Sequence, residues 1–326
     1  MGMTKPRAGE QNLHLSRRGT LAIDLGSTNT VVAFQACDAV GIELIDLAPI
    51  SREAGEVPSM LWLDDQDTDG LLVGRQVLES GLGDRNAPQL HRDFKRWIGL
   101  PVPSEWQQRL SPDQAGARLL QEIWKRIPQD LTIERLVVTA PVETDASYRQ
   151  WLLNACAPLQ IPEIAMVDEP TAAALGAGLP AGAKLLVVDL GGGTLDLSLV
   201  ALEGGEGRAA PLAQLLRFQS RNLSKSRQTL RQARVLGKAG IALGGRDLDR
   251  WILDALQPPG LPCEGDGFTA CLAAAERLKC RLSNTDINDE EELTELASSP
   301  AMATPATLQM NRKRFTQILE ERGLFL

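Results

Sequence analysis

Histidine and paired cysteine are what this sequence has least of. Its 326 residues include two His and five Cys, at positions 37, 156, 263, 271 and 280, and no two cysteines form a Cys-x-x-Cys pair. A zinc site or a disulfide framework needs such clusters, so neither organises this chain, and the thiols are expected to be reduced. No apolar run approaches the ~20 residues of a membrane span. The first eighteen residues carry Lys5, Arg7, Arg17 and Arg18 but no apolar core of a signal peptide, and Pro6 stands where an N-myristoylation signal needs Ser or Thr. No Gly-x4-Gly-Lys-Ser/Thr stretch occurs, which excludes an ordinary P-loop. Gly176-x-Gly178 follows a helical stretch rather than a strand, so it is no dinucleotide fingerprint. A net charge of −8 gives no reason to expect nucleic acid or an anionic membrane as partner. With 43% apolar and 23% charged residues, the expectation is a cytoplasmic globular protein.

What the sequence does have is a near-repeat. Asp24-Leu25-Gly26-Ser27-Thr28-Asn29 and Asp189-Leu190-Gly191-Gly192-Gly193-Thr194, 165 residues apart, each follow one short apolar run and precede another. Aliphatic and β-branched runs around a Gly-rich turn predict a hairpin. A turn of Gly with Ser or Thr can present backbone N–H groups to a phosphate, because glycine lets the chain approach without a Cβ clash. The leading Asp places a carboxylate at the edge of that nest, where hydrated Mg²⁺ would sit. Two such loops predict a duplicated fold closing on one nucleotide from both sides.

The rest of the chain reads as strands alternating with helices, an α/β pattern. Thr20 to Leu63 predicts a strand meander broken at Val57-Pro58-Ser59. Ser111-Pro112-Asp113 is a helix start, with an N-cap and proline at the first helical position; Ala115, Leu119, Leu120, Ile123, Trp124 and Ile127 then recur at helical spacing up to Pro128. Thr144-Asp145 opens a second helix through Cys156, and Leu136–Thr139 and Ile164–Val167 read as strands. An Ala-rich helix over 171–178 leads to a seam at Gly178, Pro180 and Gly182. Three parts follow: a disordered extension over 1–18, a first lobe over 19–182 and a second over 183–326. Within the second lobe, 203–238 carries eight basic residues, Arg208, Arg217, Arg221, Lys225, Arg227, Arg231, Arg234 and Lys238, and reads as a solvated hairpin extension or a docking surface for an acidic partner. Helices are expected over 246–256 and 268–283 and from Asn311, with an acidic loop from Asp286 to Glu295.

These motifs resemble the ATPase domain of the seventy-kilodalton heat-shock chaperones, the DnaK type, within the actin and sugar-kinase superfamily. The resemblance spreads over most of 20–326. It rests on the two loops, on Asp168-Glu169-Pro170-Thr171-Ala172-Ala173-Ala174-Leu175, on Phe94-Lys95-Arg96-Trp97-Ile98-Gly99, on Leu243-Gly244-Gly245-Arg246-Asp247-Leu248-Asp249, and on Ala275 to Ser283. It implies an actin-like fold, with two lobes of duplicated mixed sheets flanked by helices around a nucleotide cleft. It also implies binding of ATP or ADP with Mg²⁺, and hydrolysis that drives conformational change in a stress-response chaperone. In that reading Glu169 orients or deprotonates the attacking water and Lys95 lies near the β- and γ-phosphates. Asp24 and Asp189 hold Mg²⁺ through water, while Ser27, Thr28 and Thr194 bond phosphate oxygens beside Gly26, Asn29, Gly191, Gly192 and Gly193. Gly244, Gly245, Glu276, Lys279 and Ser283 belong to the nucleotide site, the last three on the adenosine side, and their i, i+3, i+7 spacing places them on one helical face. Pro141 and Arg149 are assigned to a relay toward a substrate-binding domain. Taken alone, Glu169 is a favourable helix N-terminal charge and Lys95 a surface lysine; the resemblance supplies their roles.

The chain departs from that pattern at Ser27 (usually Thr), at Asp168 (often Asn), at Ala165 (near a position often basic) and in a shortened stretch between Gly99 and Leu136. At Leu326 the family would continue into a further adenosine loop, a linker and a peptide-binding domain. Expected partners are therefore a nucleotide-exchange factor or co-chaperone, and client proteins only through a substrate-binding domain supplied elsewhere, with hydrolysis impaired by the missing loop. The alternatives are a catalytically weak nucleotide-binding scaffold and a sugar kinase of the same superfamily.

Overall fold

A computed structural model describes residues 16–64, 70–83, 85, 87–102, 110–140, 146–178, 182–201, 214–218, 221–222, 234–241, 243–257, 265–300 and 302–324. Pro141, Pro180 and, within the basic stretch, Arg208, Lys225, Arg227 and Arg231 lie outside them.

Strand β1 (Arg17–Leu25) turns through the first Gly-rich loop into β2 (Asn29–Ala36), against which β3 (Glu43–Leu44) and β4 (Glu56–Pro58) both pair. A small sheet of β5 (Met60–Leu63), β6 (Leu71–Val73) and β7 (Leu90–Arg92), with helix α1 (Arg75–Glu79), leads to a 3-10 turn over Phe94–Trp97. Helices α2 (Pro112–Trp124) and α3 (Ala146–Cys156) bracket β8 (Leu131–Ala140), and β9 (Glu163–Asp168) runs directly into α4 (Glu169–Gly176). The second loop joins β10 (Lys184–Leu190) to β11 (Leu195–Ala201). Next come β12 (Gln214–Phe218), β13 (Arg221–Asn222) and β14 (Arg234–Ile241), then α5 (Gly245–Leu256), α6 (Asp266–Leu282), the hairpin β15 (Leu293–Ala297) and β16 (Ala306–Met310), and α7 (Arg312–Glu321).

The first lobe is built on a mixed sheet in the order β13-β12-β9-β8-β1-β2-β3, with β1, β8 and β9 parallel. Leu21, Ile23, Leu25, Leu136, Val138 and Ile164 of this sheet are buried together with Leu119 and Ile123 of α2 and Leu152 of α3. α2 starts as its sequence predicts: Ser111 Oγ accepts from Gln114 N–H (3.2 Å) and the Gln114 side chain accepts from Ser111 N–H (2.9 Å), a capping box behind Pro112. The second lobe holds a three-stranded antiparallel sheet, β10-β11-β14, and a separate core of Leu248, Ile252, Leu278, Leu308 and Phe315 among α5, α6, α7 and the β15–β16 hairpin. One face of β10-β11-β14 meets Ala174 of α4 through Leu185, Val187 and Val200. Its other face leaves Leu186, Val188, Leu190 and Ile241 more than half exposed.

Four expectations are corrected. Order begins before residue 19, since Arg17 and Arg18 lie in β1 and Arg17 pairs with Glu43 (2.6 Å) and Asp130 (3.3 Å). The break at Val57-Pro58 is the edge strand β4, where proline is tolerated because an edge position need not donate to the ladder. The acidic stretch from Asp286 ends inside β15, so Glu295 is a strand residue, paired with Arg277 and Arg281. Lastly, the middle of 203–238, around 214–218, is no solvated extension of the second lobe. β12 pairs antiparallel with β9 at the edge of the first-lobe sheet, and Leu216 is fully buried in the first-lobe core.

Candidate functional site

The two Gly-rich loops are equal in length between their flanking strand pairs. Leu25 pairs with Thr30 across four loop residues, Gly26 to Asn29, and Leu190 pairs with Leu195 across Gly191 to Thr194. A Cβ at Gly26 would sit 2.1 Å from Asn29 O, so that tight turn admits only glycine. Ser59, a buried residue that no motif pointed to, holds this loop in place. Its Oγ donates to Gly26 O (2.8 Å) and hydrogen-bonds Thr30 Oγ1 (2.9 Å), and its N–H donates to Thr28 O (2.7 Å). In the second loop Gly191 N–H donates to Thr194 O (2.9 Å). The loops face each other closely: a Cβ built on Gly192 would lie 2.9 Å from Thr28 Oγ1. Thr28 and Thr194 are exposed, and Ser27 and Asn29 are half-buried.

Within electrostatic reach of Asp24 and Asp189, the residues that lead into the two loops, sits an ion pair brought together from two distant segments. Lys95, on the 3-10 turn, donates to Glu169 Oε1 at 2.5 Å, and the two side chains are only 11% and 25% exposed. Glu169 is the first residue of α4. Asp168 caps that helix by accepting from Thr171 N–H (2.9 Å), a task Asp and Asn do equally well, so this departure from the family pattern keeps the cap. Burial pushes the Glu169 carboxyl above its ordinary value; Lys95 opposes this, and the nearby carboxylates Asp24 and Asp189 reinforce it. Asp24 Oδ1 accepts from Thr139 Oγ1 (2.5 Å). Asp189 stands opposite Asp196 in the β10–β11 register, so these two exposed carboxylates share one face of the hairpin; a search for the Asp flanking each side of the second loop would have found Asp196. Buried Tyr148 lies close enough to Glu169 and Asp24 that they add to the effect of burial, which makes its hydroxyl a weaker acid. Arg149 is half-buried on the same helix.

Asp24 and Asp189 act on a Glu169 carboxyl whose ion-pair partner is one ammonium, a local excess of negative charge that suits a cation. Among the described residues no three His, Cys, Asp or Glu side chains converge to hold a metal directly.

Gly244 and Gly245 lie against the second loop through α5. Gly245 N–H donates to Gly191 O and Arg246 N–H to Gly192 O, both at 3.0 Å. These donors, which a helix N-terminus could otherwise offer to an anion, are spent on fixing the loop. On α6, Glu276 is exposed and Ser283 is the C-cap, its Oγ donating to Lys279 O (2.9 Å). Lys279 points elsewhere than the spacing alone could reveal. Its ammonium bonds Gly245 O (2.9 Å) and pairs with Asp249 (2.7 Å), so it braces the root of α5.

Asp249 is buried, and burial outweighs Lys279 to push its carboxyl up to about 6. A carboxyl raised in the folded state binds its proton more tightly there than in the unfolded chain. Its contribution to stability is therefore complete below about pH 4 and is lost as pH rises through about 6, by up to about 3 kcal/mol. Asp249→Asn should accordingly gain stability relative to the wild type as pH goes from 4.5 to 7, read as the difference in urea midpoint at the two pH values.

Residues 86–209 match the family model described as Hsp70 protein. Lys95, Glu169, Asp189 and the second loop all fall inside that match. Over this span the chain is similar to the Hsp70 family. Three Hsp70-family relatives illustrate the likeness. The Chaperone protein HscA homolog of Shewanella sediminis is 28% identical over 212 residues, covering 58% of this chain and 33% of that protein. Chaperone protein HscA of Salmonella paratyphi B is 30% identical over 206 residues, with the same coverage. Heat shock 70 kDa protein 13 of Bos taurus is 29% identical over 227 residues, 60% of this chain and 46% of that protein. The Hsp70 likeness thus spans a third to just under half the length of these relatives. Among the described residues no helix is long and apolar enough to cross a membrane.

Proposed function

We propose that this chain binds ATP and ADP with Mg²⁺ in the cleft between the two loops and hydrolyses ATP, as the nucleotide-binding part of a chaperone of the Hsp70 kind. The observation that supports the reading is the Lys95–Glu169 pair, within electrostatic reach of the aspartates that lead into two hairpin loops of equal length. Phosphoryl transfer to water depends on positioned charge rather than on covalent help from the protein. Lys95 supplies a compact positive charge that can leave Glu169 for the terminal phosphate. Glu169, released and of raised basicity, accepts a proton from water at its Oε1. The hydroxyls of Ser27, Thr28 and Thr194 bond phosphate oxygens, and Gly26, Asn29, Gly191, Gly192 and Gly193 let the backbone come close. Asp24 and Asp189 hold Mg²⁺ through its waters, and the ion supplies neutralisation of phosphate charge. In this reading Glu276 and Ser283 are the α6 groups that meet the nucleoside, with Lys279 acting through Gly245.

The two HscA relatives are named as chaperone proteins, which supports a chaperone setting; a co-chaperone or exchange factor as partner and a cytoplasmic location belong to the same proposal. Calorimetric titration should show ATP binding that strengthens with Mg²⁺, and purified protein should release phosphate from ATP. Absence of binding with Mg²⁺ present would sink the reading. Binding without turnover would instead favour the scaffold reading, which the commitment of Lys279 to Asp249 supports.

A further inference from the structure

One cation at the cleft is not used by this chemistry. Arg246 is the second residue of α5, and its N–H is tied to Gly192 O of the second loop (3.0 Å). Its side chain leaves the second lobe and pairs with Asp93 Oδ1 in the first. Asp93 is the N-cap of the 3-10 turn that carries Lys95 and Arg96, held in the left-handed region (φ 63°), with its side chain 19% exposed. Arg96 on that turn makes the reciprocal crossing, since a Cβ on Gly193 would lie 2.4 Å from its Nη2. Two guanidinium groups therefore run in opposite directions between the Lys95 turn and the second loop. Resting on the nucleotide reading above, we propose that the Arg246–Asp93 ion pair is a clasp between the lobes. Arg246 is a positioning residue: it holds the Lys95 turn in register with the second phosphate loop and so sets nucleotide affinity.

The backbone of Arg246 moves with the second loop and Asp93 moves with Lys95, so the pair fixes the distance across which a bound polyphosphate must be gripped. Because the arginine is nearly half exposed (46%), the contact is screened by solvent. It can break and reform as nucleotide enters, so its effect is on affinity more than on the fold.

The test is a charge-reversal cycle: Arg246→Glu, Asp93→Arg, and both together. Each is read by calorimetric titration with Mg-ADP and by thermal melting without nucleotide. Each single variant should weaken ADP by tenfold or more and lower the melting temperature by about 2 °C. The double variant should recover both, and steady-state ATP turnover should show the loss in KM with kcat changed less than threefold. Single variants that bind ADP like the wild type, or a double variant no better than the sum of the singles, overturn the clasp. If the wild type itself binds neither ADP nor ATP, the nucleotide reading fails. The melting cycle then decides separately whether the clasp joins the lobes, coupling supporting it and additivity refuting it.

Discussion

Glu169→Gln is expected to slow the proposed release of phosphate from ATP by about 10²- to 10⁴-fold, the range for removing a positioned general base, with Mg-ATP affinity staying within a few-fold. The substitution keeps the side-chain shape and its place at the start of α4, capped by Asp168, but it cannot take up a proton. The pH dependence follows from the same environment. Burial and the two aspartates hold the Glu169 carboxyl above its ordinary value, so the proposed base should be lost on acidification at a higher pH than an ordinary glutamate would be. The wild-type rate should fall on the acid side along a titration curve, and the residual rate of the glutamine variant should lack that limb. A variant that turns over at the wild-type rate would remove Glu169 from the chemistry, whatever its position.

Gly244→Ala is expected to weaken nucleotide binding more than tenfold without unfolding the protein. An alanine Cβ there would lie 2.4 Å from Gly193 N, 2.5 Å from Gly193 Cα and 2.6 Å from Gly192 C. All three are backbone atoms, so no side chain can swing away; either the second loop or the root of α5 has to move. That movement breaks the hydrogen bonds from Gly245 and Arg246 to the loop carbonyls, both 3.0 Å long. Overpacking of this kind costs about 1–3 kcal/mol, and here the distortion falls on the phosphate loop itself. Gly237→Ala is the matched control: it lies in β14 with nothing within 4 Å of its would-be Cβ and should bind nucleotide normally. If both variants bind alike, the loop is not held by α5 as the contacts indicate.

The features that were legible in the sequence are those fixed locally. The hairpin loops announce themselves because only glycine permits such turns, and α2 because Ser111, Pro112 and Gln114 carry their capping chemistry within four residues. The strand–helix junction at Asp168-Glu169 is equally local. What could not be read is set by partners far along the chain. The spacing of Glu276, Lys279 and Ser283 defines a helical face, but not that Lys279 meets Asp249, thirty residues earlier. Pro58 looked like a break because sequence shows a missing donor, not the edge position that makes the donor dispensable. Ser59 belongs to no pattern and is important only because β4 and β5 bring it under the first loop. The basic run around β12 masked a strand: charge dominates its composition, while its structural role rests on Leu216 and the backbone of β9.

That strand has a consequence for how the molecule comes into being. The chain leaves the first lobe after α4, builds β10 and β11 in the second, returns to lay β12 beside β9, and crosses again to complete the second sheet with β14. The first lobe is therefore not a contiguous stretch of polypeptide. As the chain emerges during translation, β9 waits with an open edge and an unfilled place for Leu216 until some fifty further residues have appeared. The lobes are woven rather than strung, so neither can mature before the other has begun.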